Sequence, residues 1–255
     1  MMRIVEGIIL AAGESRRLMA HIRFPKPLLK LSKMRLIQFP VFSLLLNGVE
    51  KFIIVTRQDL KEEIPSIVCI NEDIKYKVVV NREIHRENGY SLYLGLKNVD
   101  SEFFFVSMAD HIYPPEVPAR LLKCMGSDID ILVAADSDPI YISIDEATKI
   151  KTSDGHVVSI GKGIKDFDHV DAGVFIMKRS ILDVTEELVA KKEVVGVSDI
   201  INYAIEKGYN VQIASITNSP WLDIDTLEDV EKLLRGDASK LFRALLNKYD
   251  QLIRD

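Results

Sequence analysis

Residues 7–30 constrain the fold more than any other stretch of the chain. They read Gly-Ile-Ile-Leu-Ala-Ala-Gly-Glu-Ser-Arg-Arg-Leu-Met-Ala-His-Ile-Arg-Phe-Pro-Lys-Pro-Leu-Leu-Lys. The run Ile8-Ile9-Leu10 has the character of a buried strand, and it passes directly into Ala11-Ala12-Gly13. Small residues let backbone N–H groups approach a polyphosphate closely. The basic pair Arg16-Arg17, and then Lys26, answer the charge of such a ligand. Proline locks φ, so Pro25 and Pro27 fix where Lys26 stands. The glycine fingerprint of dinucleotide-binding folds needs three spaced glycines, and only Gly13 follows the strand. No Gly-Lys-Ser/Thr closes a phosphate loop of the ATPase kind either. A strand, a glycine turn and basic residues are common in α/β proteins, so this stretch alone leaves the ligand open.

The rest of the chain alternates short apolar strands with helical patterns. Strands are expected near 4–10, 51–56, 76–81, 102–108 and 129–135, and a helix near 36–48 ending at the C-cap pair Asn47-Gly48. Beyond Ala135 the pattern changes. Asp154-Gly155 signals a hairpin, a strand follows at 170–177, helices near 180–191 and 198–207, and a strand at 210–216 leads into Trp221-Leu222-Asp223-Ile224-Asp225. The expected fold is α/β, a Rossmann-like doubly wound and mostly parallel sheet. A β-rich insertion, about 136–178, is expected over the C-terminal edge of that sheet, where open α/β sheets bind ligands. At the end, Ala238, Leu241, Phe242, Leu245, Leu246, Tyr249, Leu252 and Ile253 recur at steps of three and four, which is one apolar face of a helix. That face packs on its own domain, forms a homodimer contact or docks on a membrane-associated segment. The expected division is 1–236 as one domain and 237–255 as a C-terminal amphipathic helix.

Composition narrows the partners. The 255 residues carry a net charge of −5, which speaks against nucleic acid. No apolar run is long enough to span a bilayer, and Glu6 interrupts any secretory pattern. Cys69 and Cys124 lack metal-ligand spacing and read as reduced thiols of a cytoplasmic protein.

Leu10-Ala11-Ala12-Gly13-x-x-x-Arg17-Leu18, with Phe24-Pro25-Lys26-Pro27-Leu28 downstream, resembles the signature of the sugar-1-phosphate nucleotidylyltransferases. That family has a glycosyltransferase-A-like fold. The resemblance implies a nucleotide lying along Leu10, Ala11, Ala12, Gly13 and Glu14, with Arg17 and Lys26 as catalytic cations. Many members have a second glycine where this chain has Ser15, whose Cβ restricts the backbone.

Nucleotidyl transfer needs a metal to neutralise the triphosphate. Mg²⁺ takes one or two carboxylates plus phosphate oxygens and water. Asp110 stands just after the strand at 102–108, and Asp223 and Asp225 follow the last strand at i, i+2 spacing, which points both side chains the same way. These three are the expected Mg²⁺ ligands. Alternatively, Asp225 or Thr226 begins the next helix as its N-cap.

Asn81, Asn88, Gly89 and Ser91 lie in a polar loop after the third strand. Their donors and acceptors suit a base edge, though Ser91 also suits an N-cap. The wording Glu87-Asn88-Gly89-Tyr90-Ser91-Leu92 is most similar to the CTP-using branch. Ser107-Met108-Ala109-Asp110-His111, Ile144-Asp145-Glu146-Ala147-Thr148-Lys149, Ile160-Gly161-Lys162 and Asp166-Phe167-Asp168-x-Val170-Asp171-Ala172-Gly173-Val174-Phe175 follow in order. Over about residues 5–235 they resemble the cytidylyltransferases that convert inositol 1-phosphate and CTP to CDP-inositol, often joined to a membrane-embedded synthase domain. Lys162 and Lys149 are then expected on the acceptor's phosphate, and Asp136 and Asp171 on its hydroxyls. A choline-phosphate or nucleotide-sugar enzyme and a non-catalytic nucleotide sensor are the alternatives.

Overall fold

A computed structural model describes residues 3–22, 24–68 and 74–254. Cys69 lies outside the described residues, as do the side chains of Arg16 and Ile253. The chain begins with β1 (Glu6–Ala11), α1 (Arg16–Ile22), the short pair β2 (Lys30–Leu31) and β3 (Met34–Arg35), α2 (Gln38–Leu45), β4 (Lys51–Thr56), α3 (Glu63–Val68), β5 (Lys75–Val80), α4 (Glu87–Leu96) and β6 (Phe103–Met108). It continues through β7 (His111–Ile112), α5 (Glu116–Cys124), β8 (Ile131–Asp136), the hairpin β9 (Lys149–Ser153) and β10 (His156–Gly161), β11 (His169–Lys178), α6 (Ile181–Lys191) and α7 (Val197–Glu206). It closes with β12 (Val211–Ser215), β13 (Leu222–Asp223), α8 (Leu227–Leu234) and α9 (Ser239–Arg254).

The two-residue period of the strands builds two cores, one on each face of a single sheet. Ile9 and Ala11 of β1, Phe52 and Ile54 of β4 and Phe105 of β6 pack with Phe39, Phe42, Leu121, Phe242 and Leu245 of α2, α5 and α9. Their neighbours Ile8, Leu10, Ile53, Val55, Phe104 and Val106 pack with Leu92, Leu96, Ile181, Val197 and Ile201 of α4, α6 and α7. The result is a three-layer α/β/α sandwich.

The nine-stranded sheet has the order β5-β4-β1-β6-β11-β8-β12-β10-β9. β5, β4, β1 and β6 are parallel, as are β8 and β12. β11 runs antiparallel to both β6 and β8, and the hairpin β9–β10 closes the far edge. The expectation of mostly parallel strands therefore describes the first half, while the second half is mixed. The reason is the connection. β11 follows a hairpin with no helix between them, and a short return suits antiparallel pairing, whereas a parallel neighbour needs a long crossover. Within the stretch 136–178, β9 and β10 extend the main sheet and β11 runs through its middle. Asp154 and Gly155 at the hairpin have φ of 50° and 82°, the left-handed pair that a two-residue turn requires.

The last helix packs on its own domain. Leu241, Phe242, Leu245 and Tyr249 are buried in the first core, and the Tyr249 hydroxyl lies 2.6 Å from Ser43 Oγ, which donates to the Tyr113 carbonyl. Replacing Phe242 by alanine should therefore lower unfolding free energy by about 3–5 kcal/mol in a denaturant titration. The exposed Lys240 should tolerate alanine to within about 0.5 kcal/mol. A loss at Phe242 no larger than that at Lys240 would show that the helix does not close the core.

Candidate active site

The C-terminal ends of β1, β6 and β8 and the start of β11 share one edge of the sheet. Above it lies a cleft of about 510 Å³, lined by Leu10 to Ser15, Lys26, Pro27, Ile84, Glu87, Asn88, Ser91, Met108, Ala109, Asp110 and Lys162. Ser15 has φ of 56°. It takes the left-handed conformation that glycine adopts freely, at a cost of roughly 1 kcal/mol.

Lys26 opens a 3-10 turn (Lys26–Leu28), with Pro25 before it and Pro27 inside it. Only 7% of the residue is exposed, and Nζ lies 2.5 Å from both Asp110 Oδ2 and Asp225 Oδ1. Burial alone would make the ammonium easier to deprotonate. Asp110 and Asp225 reverse this and hold it well above the ordinary lysine range. Arg17 on α1 pairs with Asp225 and with Glu146. The bond to Glu146 is the main reason its guanidinium is held more firmly charged still.

A short antiparallel ribbon sets the carboxylates. β13 pairs with β7 so that Asp223 faces His111, and the Ile224 N–H donates to the Asp110 carbonyl at 3.0 Å. Thr226 caps α8. Its Oγ1 accepts from the Asp229 N–H, and Asp229 Oδ2 accepts from the Thr226 and Asp225 N–H groups. Thr226 thus settles the capping question and leaves the Asp225 side chain to Lys26 and Arg17. Burial would raise the Asp110 carboxyl, but Lys26 and His111 hold it well below the carboxylate range. Burial, with Asp225 and Asp110 nearby, raises that of Asp223. Among the described residues, no group of three or more His, Cys, Asp or Glu side chains is placed to hold a metal ion, the trio Asp110, Asp223 and Asp225 included. Asp110 is engaged by His111 and Lys26, and Asp225 by Lys26 and Arg17; carboxylate oxygens are the donor type that Mg²⁺ takes one or two at a time, with phosphate and water for the rest.

The four polar-loop residues expected at a base divide into two layers. Asn88 and Ser91 line the cleft. Asn81 is buried behind them, where Nδ2 donates to Ser91 Oγ at 2.9 Å and Oδ1 accepts the Glu83 N–H. Gly89 donates its N–H to Val195, and a Cβ there would lie 2.5 Å from the Val195 carbonyl oxygen. Asn88 Oδ1 accepts the Val197 N–H at the start of α7. Asn81 and Gly89 thus shape the loop from behind rather than line the cleft.

A second cavity, about 230 Å³, adjoins the first and shares Asn88, Met108, Asp110 and Lys162 with it. His111, Glu146, Thr148, Asp171, Trp221, Asp223 and Asp225 also line it. Two of the expected acceptor residues stand elsewhere. Both oxygens of Asp136 are taken, by Trp221 Nε1–H at 2.9 Å and by the Asp138 N–H at 3.0 Å, so Asp136 backs Trp221. Lys149 Nζ donates to the Lys162 carbonyl at 3.2 Å and fixes the hairpin that carries Lys162. His111, Glu146 and Trp221 were missed. Their only sequence signals were adjacency to Asp110, a place in the 144–149 motif and position just before Asp223.

Asp171 sits in a bulge of β11, where the register shifts before Phe175. Its Oδ1 accepts the Gly173 N–H at 2.8 Å, and burial pushes its carboxyl up to about 6. A carboxyl raised in the folded state stabilises below its unfolded value and loses that contribution as pH climbs through the folded one. Asp171→Asn should therefore gain stability on the wild type between pH 4 and pH 7 in urea titrations. Parallel profiles would remove the burial effect.

The sequence matches the MobA-like NTP transferase domain over residues 7–205. It is 33% identical over 238 residues to the bifunctional IPC transferase and DIPP synthase of Rubrobacter xylanophilus, covering 92% of this chain and 53% of that one. It is 31% identical over 227 residues to the protein of the same name from Aquifex aeolicus, covering 89% and 50%. The chain thus spans about half the length of these curated relatives. The inositol-1-phosphate CTP transferase of T. maritima superposes with a TM-score of 0.86 at 26% identity, covering 96% of this chain and 97% of that one. The chain belongs to the MobA-like NTP transferase domain family.

Proposed function

We propose that the protein transfers CMP from CTP to myo-inositol 1-phosphate, giving CDP-inositol and pyrophosphate. The observation that carries this is the meeting of two cavities at Asp110 and Lys162, one on the phosphate loop and one small and polar. The names of the similar IPC transferases and inositol-1-phosphate CTP transferase support the choice of substrates.

Backbone N–H groups of the Ala12–Ser15 loop cradle the triphosphate, with Lys26 and Arg17 set against it. Asn88 and Ser91 read the cytosine edge, and Asn81 and Gly89 hold them. The acceptor occupies the smaller cavity with its phosphate at Lys162 and its hydroxyls at Asp171. An ionised oxygen of that phosphate attacks the α-phosphorus, a new O–P bond forms, and the bond to the β-phosphate oxygen breaks. Pyrophosphate takes the electron pair and leaves against Lys26 and Arg17. Because the nucleophile is already ionised near neutral pH, the step needs alignment and charge neutralisation but no general base. One or two of Asp110, Asp223 and Asp225 would hold Mg²⁺, which when bound neutralises the triphosphate and polarises its α-phosphoryl group.

The smaller cavity disfavours choline phosphate. A quaternary ammonium needs open aromatic faces, but Trp221 is 3% exposed and stacked under His111. The intact set of Arg17, Lys26 and site carboxylates equally disfavours a sensor without chemistry. A synthase acting on CDP-inositol, in the same chain or as a partner, would consume the product.

Phosphorus NMR of CTP with a panel of acceptors, inositol 1-phosphate, choline phosphate and glucose 1-phosphate among them, should show CDP-inositol and pyrophosphate from the first alone. Turnover confined to another acceptor would overturn the assignment. Lys26→Ala should cost about 2–4 kcal/mol of transition-state stabilisation, read as a fall in kcat with the fold intact by circular dichroism. Near-normal kcat would remove Lys26 from the chemistry.

A further inference from the structure

Resting on the acceptor reading of the smaller cavity, we infer that His111 binds the acceptor through Nε2, and that Trp221 and Asp136 are positioning residues that hold His111 for that contact. Three observations fix the ring. His111 Nδ1 lies 2.7 Å from Asp110 Oδ1, so this nitrogen is committed to the carboxylate and Nε2 is left for a ligand. The imidazole lies nearly parallel to the Trp221 indole, 11° between planes and 5.9 Å between centroids, while Trp221 Nε1–H is tied to the buried Asp136 at 2.9 Å. The Nε2 edge passes over Gly173, at φ 68° in the β11 bulge, where a Cβ would lie 2.6 and 2.7 Å from Cδ2 and Nε2. A side chain at 173 would displace the ring, and the ring cannot turn without losing Asp110.

The position of His111 gives the contact its partner. His111 follows Asp110, which both cavities share, and lines only the smaller one. Lys162 stands at the same junction. A phosphorylated polyol reaching toward the α-phosphorus passes between Lys162 and His111. Lys162 supplies charge, and Nε2 supplies a directional hydrogen bond beside the phosphate. Directional contacts discriminate between isomeric acceptors in a way that a flexible ammonium does not.

His111→Asn keeps a donor for Asp110 and removes the Nε2 contact. His111→Gln places an amide where Nε2 stood. In His111→Asn the KM for inositol 1-phosphate should rise on the order of ten- to a hundredfold, with the KM for CTP within about twofold. His111→Gln should recover part of the loss. Asp136→Ala should move the same acceptor KM by a smaller factor. Trp221 is the chain's single tryptophan, so inositol 1-phosphate added without CTP should change its emission in the wild type and not in His111→Asn. A wild-type acceptor KM in His111→Asn, or equal rises in both KM values, overturns the inference while CDP-inositol formation by the wild type keeps the acceptor reading. A wild type that makes no CDP-inositol overturns both.

Discussion

The buried ammonium of Lys26 is the interaction on which the cleft depends. It ties the turn after α1 to Asp110, beyond β6, and to Asp225, before α8. Without it two half-buried carboxylates would face one another uncompensated, with Asp223 and Glu146 close by. A buried charge stripped of its partner costs more than the pair contributes. A hydrophobic trio of similar volume would hold these segments together as well or better. What the ions provide is arrangement, since three segments far apart in sequence converge where charge can be met by charge. Proline on either side of Lys26 supports this by removing backbone freedom on the unfolded side of the balance.

Much of this was readable in advance because it is local. The strands announce themselves by period, and Asp154-Gly155 announces its turn because few residues accept positive φ at both positions. Lys26 and the carboxylates at 110, 223 and 225 could be picked out because strand ends and proline frames are sequence features. Direction was not readable. Asp136 ends β8 much as Asp110 follows β6, yet a tryptophan 85 residues away claims one of its oxygens. Lys149 points at a carbonyl across its own hairpin. Asn81 looked like a base reader and instead supports Ser91. Alternation assigns a side chain to a face of the sheet, but not to the neighbour it meets there. The mixed order of the sheet was hidden for a related reason, since strand direction follows from connections whose path is not periodic.

The two cavities are also shaped by backbone held in an uncommon region. Ser15, Glu87 and Gly173 have φ of 56°, 66° and 68°; the first two line the larger cavity, and Gly173 lies under His111. Such conformations persist where the surroundings over-determine them, and they gather at functional sites. Here each re-aims the chain: Ser15 turns it into α1, Glu87 starts α4, and Gly173 lies in the bulge that presents Asp171. The sandwich supplies rigidity, and these three residues supply the local departures from regularity.

The β7–β13 ribbon has a consequence for synthesis. It joins the segment after β6 to residues 222–223, and β12, which completes the sheet between β8 and β10, is itself made only at 211–215. A chain emerging from the ribosome presents Lys26 and then Asp110 early, but Asp223 and Asp225 follow more than a hundred residues later. Chains fold from the N-terminus as they are made, so until residues 211–225 are made β8 has an open edge where β12 will pair and Lys26 has Asp110 but not Asp225. The interval before residue 225 is when it most needs protection from pairing with a neighbour.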